Sequence, residues 1–417
     1  MESLIESTFY LAGGTGRTYV PIPFIFPIFS IPVGLLGLML PLQQIPSVAK
    51  QILSIPLLAI IFATPIFFTP NNGLIDIIVA PTCYNLFLRL FEFYWISPLL
   101  YGKQVYASRD YIYHEIWACM CKFPKPDKKK KDDDVKPKEY VKDKKIYHII
   151  MNLAYHVFIC DLFGSWFATF SGTDVMTMHQ DRRALYFLFN VVVVFTLNSV
   201  FNAIGFTLQL FHCIYYDLGG PYSSEQWRPL MINPVMSSSL EELWNVRWHQ
   251  LFHTSWVAFG FRPARYITQR ALAKTVKNTL PLSLLAGTLA VFFISGLTHE
   301  YMVYATTGGS VYTRLFIGQQ VFFFFTHGVG MTLERFVKKL SKSYLPSFVR
   351  ESFLVRHIFS RLWVFSFAFL TFPFFMDGFS YTQLWLDTPL GFSQPYVFEF
   401  FRSVVPDVGK AVCGSLL

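Results

Sequence analysis

Long apolar runs separated by short polar or basic stretches dominate the pattern of this chain, and most have the roughly 20 residues a helix needs to cross a bilayer. Runs at residues 22–42, 52–69 and 75–100 read as three spans. Pro recurs in the first two, where it kinks or tilts a membrane helix without abolishing it. The third carries Arg89 and Glu92, three residues apart and so on one helical face, where the pair neutralises itself. Further runs follow at 147–170 and 185–215, the second long enough to tilt strongly or to continue past the membrane surface. Runs at 280–305, 312–333 and 362–375 bring the count to about eight, within a range of 8–10 set by a short aromatic stretch at 396–405. The expectation is an all-α polytopic transmembrane helical bundle forming one membrane-embedded domain over residues 1–417.

Composition supports this pattern. Only 15% of the residues are charged and 53% are hydrophobic, with a mean hydropathy of +0.39, whereas soluble domains carry about 25% charged residues. The net charge of +9 does not point to nucleic acid, because the basic residues gather in the loops, the distribution expected of cytoplasmic loops. Residues 122–145 hold eleven Lys against six acidic residues and almost nothing apolar, and should form a disordered cytosolic loop. Counting crossings from it puts residues 217–278 in the cytosol, with an interfacial or re-entrant helical segment between about 222 and 278. The span at 280–305 then runs away from the cytosol. Six Cys without CxxC spacing read as free thiols, with no disulfide framework and no metal site expected. Residues 1–10 carry Glu2 and Glu6 and no basic n-region, so no cleavable signal peptide is expected.

Two stretches carry candidate chemistry. The apolar run at 280–305 contains His299 followed by Glu300, and ionisable groups at membrane depth are costly enough to mark a functional site. A structural His bonded across a helix interface is the competing reading. In the cytosolic region Ser239 and Glu242 have the spacing of a capping box, predicting a helix that starts at Ser239. On it Trp244, Trp248 and Leu251 would share one face, with Asn245 and His249 on the adjacent one. An amphipathic interfacial helix would look similar. The chain has no HExxH, no GxSxG and no GxxxxGK[ST] pattern.

Taken together, Trp227-Arg228-Pro229-Leu230, then Ser239-Leu240 leading to Trp244 and Arg247-Trp248-His249-Gln250, then Ser295-Gly296-Leu297-Thr298-His299-Glu300, resemble the wax-synthase-like branch of the membrane-bound O-acyltransferases. The resemblance covers residues 222–304. It implies that His299 is the catalytic residue and that His249 stands at the position of the second polar group. Asn245, one turn before His249, does not align with that position but could serve nearby.

The reaction so implied moves an acyl group from acyl-CoA, a co-substrate, to the hydroxyl of a hydrophobic alcohol in an internal membrane such as the endoplasmic reticulum, with no bound cofactor. A neutral His299 would take the alcohol proton, assistance worth ~10²- to 10⁴-fold. His249, Asn245 or Arg247 would donate to the oxyanion. Arg228, Arg247, Arg262 and Arg265 are placed for the CoA phosphates, and Trp244, Trp248, Ser295 and Glu300 are further candidate substrate contacts. Acetyl transfer to a sterol or terpenoid alcohol is an alternative within the same chemistry. A transporter or proton relay using His299 and Glu300 is an alternative of another class.

Overall fold

The computed structural model describes residues 17–123, 140–387 and 391–417; the expectations for residues 1–10 and for most of the Lys-rich stretch fall outside them. Helices α1 (Ile22–Met39), α2 (Ser47–Phe67) and α3 (Gly73–Phe91, continuing through a π turn to Tyr101) are the first three spans. A short surface helix, α4 (Arg109–Trp117), precedes α5 (Tyr147–Phe167), α6 (Gly172–Asp181) and the long α7 (Arg183–Tyr215). Then come α8 (Arg262–Leu272), α9 (Leu280–Thr307), α10 (Gln319–Tyr344) and α11 (Ser360–Thr382). One pair of two-residue strands, Thr18–Tyr19 with Phe68–Thr69, is parallel. The chain is an integral multi-pass membrane protein. Phe24, Ile31, Leu38 and Met151 stand exposed on its flanks, as residues facing lipid should.

Seven helices among the described residues are long and apolar enough to cross a membrane, against about eight expected. The difference lies at 312–333. Tyr312–Phe316 winds as a π turn and Gly318 takes a left-handed φ of 82°, so α10 begins only at Gln319. Its second half carries Glu334, Arg335, Lys338, Lys339 and Lys342, so α10 falls short of the apolar length of the other spans, although it runs from the end of α9 to Glu334 beside Leu240 and so joins the two sides of the bundle. The stretch at 396–405 is not one continuous helix: it breaks between a helix, Gln394–Glu399, and a π turn, Phe400–Val404.

Contacts between loops agree with alternating crossings. On one side Gly73 donates to Asp387 (2.8 Å), Gly172 to Gln383 (3.1 Å) and Leu416 to the carbonyl of Thr169 (2.9 Å). On the other, Lys122 donates to Gln226 (2.8 Å), Tyr222 to Lys144 (2.8 Å) and Leu240 to Glu334 (2.7 Å). The sequence reading places the basic second group in the cytosol.

Non-helical backbone survives in a membrane protein only where protein satisfies its polar groups. Residues 218–238 meet that condition against α7. Asn202 accepts from the Met231 amide (3.2 Å) and donates to its carbonyl (3.1 Å), while Asn198, one turn earlier, accepts from the Asn233 amide (2.9 Å). Gly205 lets Leu230 pack against the helix backbone, a Cβ there coming within 3.1 Å of the Leu230 side chain. Arg89 and Glu92 pair as expected, and Glu115 of α4 also binds that guanidinium.

Lys50 shows the same bookkeeping of polar groups at a helix end. It is 2% exposed and donates to the carbonyls of Leu40 (3.1 Å) and Val105 (2.8 Å), closing the α1 C-terminus, which favours a cation. Lys50→Met should strand the Val105 carbonyl, leave that of Leu40 with only the Ala107 amide (3.4 Å), and cost about 1–3 kcal/mol, read as a lowered unfolding midpoint in detergent.

Candidate active site

His299 sits on α9, eight residues before its end at Thr307, roughly 12 Å from the far-side terminus at 1.5 Å per residue. Its Nδ1 lies 2.8 Å from the Ser295 carbonyl. A carbonyl only accepts, so Nδ1 carries the proton and Nε2 presents a lone pair. Among the described residues nothing bonds Nε2, and the half-buried ring lies beside Phe324 (centroids 4.3 Å apart) and Phe375 (5.6 Å).

Two neighbours in the same motif hold this turn of α9 against α10. A Cβ on Gly296 would come within 2.7 Å of the Val321 backbone, so only glycine permits that approach. Glu300 accepts from the Val321 amide (3.0 Å), one of the unpaired donors at the start of α10, and from the Tyr312 hydroxyl (2.6 Å). An acidic group suits a helix N-terminus. Glu300 thus faces α10 and Tyr312. The Ser295 side chain is buried, and its carbonyl is what orients the imidazole.

His249 arrives by a different route from the one the spacing suggested. Ser239 does cap a helix start, accepting from Glu242 (3.0 Å). The reciprocal half differs, because Glu242 binds the amide and hydroxyl of Ser238 (2.9 and 2.7 Å). The α-helix lasts only through Leu240–Glu242, becomes a π turn at Leu243–Arg247, and stops at Trp248, which is extended (φ −73°, ψ 155°). Trp248 and His249 therefore lie beyond the helix, with Gln250 donating to the Trp248 carbonyl (2.8 Å). Asn245 is left exposed on the outside of the turn. The structure separates it from His249 because a π turn and an extended residue replace the helical repeat that would have stacked them.

The His249 ring is 5% exposed and stacks on Phe201 of α7 at 4.0 Å, with an interplanar angle of 13°. Trp256, 6.1 Å from it, donates to Thr298 (3.2 Å), the residue before His299. Burial first, and the His299 imidazole second, push His249 down to about 3, so it is neutral. Nδ1 of His249 is enclosed without a partner among the described residues. A bare lone pair costs less there than a stranded N–H, which favours the tautomer with the proton on Nε2.

The remaining candidates divide. Arg247 is held by Glu242 (2.7 Å) and the carbonyls of Ile232 and Asn233 (3.2 and 3.3 Å), and Arg228 by the carbonyls of Cys119 and Ala118 (3.0 and 2.9 Å). Both guanidinium groups are engaged within the protein. Arg262 and Arg265 instead line an open cleft of about 460 Å³ with Lys103 and Tyr266. Trp244 donates to His327 Nδ1 (3.1 Å), whose Nε2 lies 2.9 Å from the Thr371 hydroxyl. Trp244, Trp248 and His327 form the wall of an apolar groove between α7, α10 and α11 that Phe187, Val364 and Phe369 complete. Sequence reasoning missed His327, Phe201 and Gly296. A lone His following four Phe was the available signal for the first.

Residues 227–326 match the family described as membrane bound O-acyl transferase, and both motifs fall inside that stretch. Two similar proteins of Arabidopsis thaliana are named probable long-chain-alcohol O-fatty-acyltransferase 3 and 7. The first is 29% identical over 155 residues, covering 36% of this chain and 40% of the relative; the second is 28% identical over 142 residues, covering 34% and 36%. The match thus spans well under half of either relative. No solved structure matches. The resemblance seen in the motifs, to the wax-synthase-like branch of that family, is borne out.

Burial alone would raise the Glu242 carboxyl, but Ser238 and Arg247 hold it down to about 2. A depressed carboxylate contributes stability that is present above its ordinary unfolded value and is lost as pH falls through the folded one. The unfolding midpoint of wild type should therefore exceed that of Glu242→Gln near neutral pH, with the gap closing as pH is lowered from about 5 toward 2.

Proposed function

We propose that this chain is an acyl-CoA-dependent O-acyltransferase that esterifies the hydroxyl of a hydrophobic alcohol within an internal membrane. The observation that carries the reading is the His299 imidazole, its Nδ1 proton held by the Ser295 carbonyl and its Nε2 left without a partner among the described residues, with the buried His249 as the candidate donor.

The Nε2 lone pair of His299 takes the proton of the alcohol as its oxygen attacks the thioester carbonyl carbon. The oxyanion of the tetrahedral intermediate is met by the Nε2 proton of His249. Collapse reforms the carbonyl and breaks the carbon–sulfur bond, and the CoA sulfur leaves with the proton that His299 acquired. Donors fixed in place before the reaction, in a site with little water, are worth far more than the same groups in solution. The Phe201 stack and the Ser295 carbonyl fix both rings in this way.

The supply of substrates follows the two sides of the bundle. The CoA phosphates go to Arg262, Arg265 and Lys103 in the cytosolic cleft, since Arg228 and Arg247 are committed to backbone and Glu242. From Gly287, which packs on Phe261 and Arg265, to His299 is roughly 18 Å along α9, a distance for the extended pantetheine arm. The apolar groove behind Trp244 and Trp248 suits a hydrocarbon chain. The two similar Arabidopsis proteins are named for long-chain alcohols and fatty acyl groups, which favours those over a sterol and acetate. A His–Glu proton relay is disfavoured because Glu300 is bound to Val321 and Tyr312.

His299→Ala protein that keeps its fold should form no ester from acyl-CoA and long-chain alcohol, and His249→Ala should lower kcat by ~10²- to 10³-fold. Asn245→Ala should stay within about twofold of wild type, being an exposed surface change. Assays across acyl-CoA lengths and alcohol, sterol and diacylglycerol acceptors read these outcomes. Full activity in His299→Ala would remove the base from the scheme. Arg262→Gln combined with Arg265→Gln should raise the KM for acyl-CoA at least about tenfold, the loss expected for charge-assisted phosphate contacts, with kcat retained at saturation.

A further inference from the structure

At the cytosolic end of α7, far along the helix from the imidazole pair, three ligating side chains converge. The ligand atoms of His212, Cys213 and Asp217 all lie within 4.8 Å of one another. His212 and Cys213 form the last turn of α7. Asp217 reaches them because the chain reverses just past the helix: Leu218 and Gly219 take left-handed φ values of 51° and 77°, and the Gly219 amide bonds back to the Cys213 carbonyl (2.9 Å). A bulky residue at positive φ is costly and persists only where its surroundings dictate it.

The His212 ring has the surroundings of a positioned ligand. It is 5% exposed, and the rings of Trp117, Tyr216 and Trp227 lie 4.8, 4.7 and 4.9 Å from it. Nε2 lies 2.7 Å from the Tyr113 hydroxyl. Nδ1 is enclosed, has no hydrogen-bond partner among the described residues, and faces Asp217 Oδ2 at 3.6 Å. That separation is too long for a good hydrogen bond. It is close to the roughly 3.3–3.5 Å between two ligand atoms of one tetrahedral zinc with bonds of about 2.0–2.2 Å. The other carboxylate oxygen, Oδ1, lies 3.8 Å from Lys142, which leaves Oδ2 turned inward.

We propose that His212, Cys213 and Asp217 bind one borderline-soft divalent cation of the zinc class. The donor set of imidazole, thiol and carboxylate is the one zinc takes. On binding, Cys213 releases its proton to solvent and coordinates as thiolate. His212 coordinates through the Nδ1 lone pair and donates its Nε2 proton to Tyr113, the outer contact that metal-bound imidazoles characteristically make. Water completes the coordination. The ion would clamp the end of α7 to the turn that follows it. It would brace the cytosolic layer in which Cys121 pairs with Trp227 and Lys144 with Tyr222. This inference does not depend on the acyltransferase reading. No metal site was legible along the chain because His212, Cys213 and Asp217 lack the CxxC or HxxxH spacings by which such sites are recognised.

The test uses the full chain purified in detergent, stripped with chelator and then titrated with Zn²⁺, and separately with Co²⁺ as a spectroscopic substitute. Wild type should bind about one equivalent, show a thiolate-to-cobalt absorption band, and gain in unfolding midpoint as Zn²⁺ rises. Cys213→Ser should abolish the band, and Cys213→Ser and Asp217→Asn should each weaken binding by at least about tenfold. Neither replacement changes side-chain volume much, so folding can be checked independently by the midpoint without metal. No stoichiometric binding, or binding equally tight in both variants, would overturn the proposal. So would a midpoint that depends on pH and not on Zn²⁺, which is the signature of a plain His212–Asp217 ion pair.

Discussion

Inside hydrocarbon there is no water to satisfy a stray amide or carbonyl, and this one constraint explains most of how the chain is built. The spans meet it with their own helical bonds. The irregular segment between α7 and α8 cannot, and it is tolerated because Asn198 and Asn202 offer side-chain amides at the spacing of its backbone groups. The first turn of α10 meets it through Glu300, and the end of α1 through Lys50. Each buried polar or charged residue in these places serves a backbone group first.

That requirement also positions the imidazole pair. Because the 218–238 segment is tied to α7, the chain that follows is delivered into the bundle, and the break at Trp248 turns His249 onto Phe201 of the same helix. Because Gly296 and Glu300 dock α10 on α9, Phe324 is brought against His299. The two rings have unlike surroundings. One is bonded to a carbonyl and the other is stranded at Nδ1.

Arginine use shows how weak a guide residue type is without packing. Arg228, Arg247, Arg262 and Arg265 all had the charge and shape for phosphate. Arg228 and Arg247 are instead spent on the carbonyls of Ala118, Cys119, Ile232 and Asn233. Arg262 and Arg265 face open space beside Lys103. Nothing in spacing or composition separates the two pairs.

The sequence by itself determined the all-helical membrane architecture, the place of seven spans, and the motif in which His299 stands, since hydrophobic length and a charge at membrane depth are local properties with large free energies. It also marked the helix start at Ser239, which one side chain and one backbone amide decide. Tertiary structure alone decided that the helix fails before Trp248, that Asn245 points away, that α10 begins at Gln319, and that His327, Phe201 and the His212 cluster have the partners they do. Those outcomes turn on which backbone groups from distant parts of the chain find each other, small differences between competing hydrogen bonds that no local pattern records.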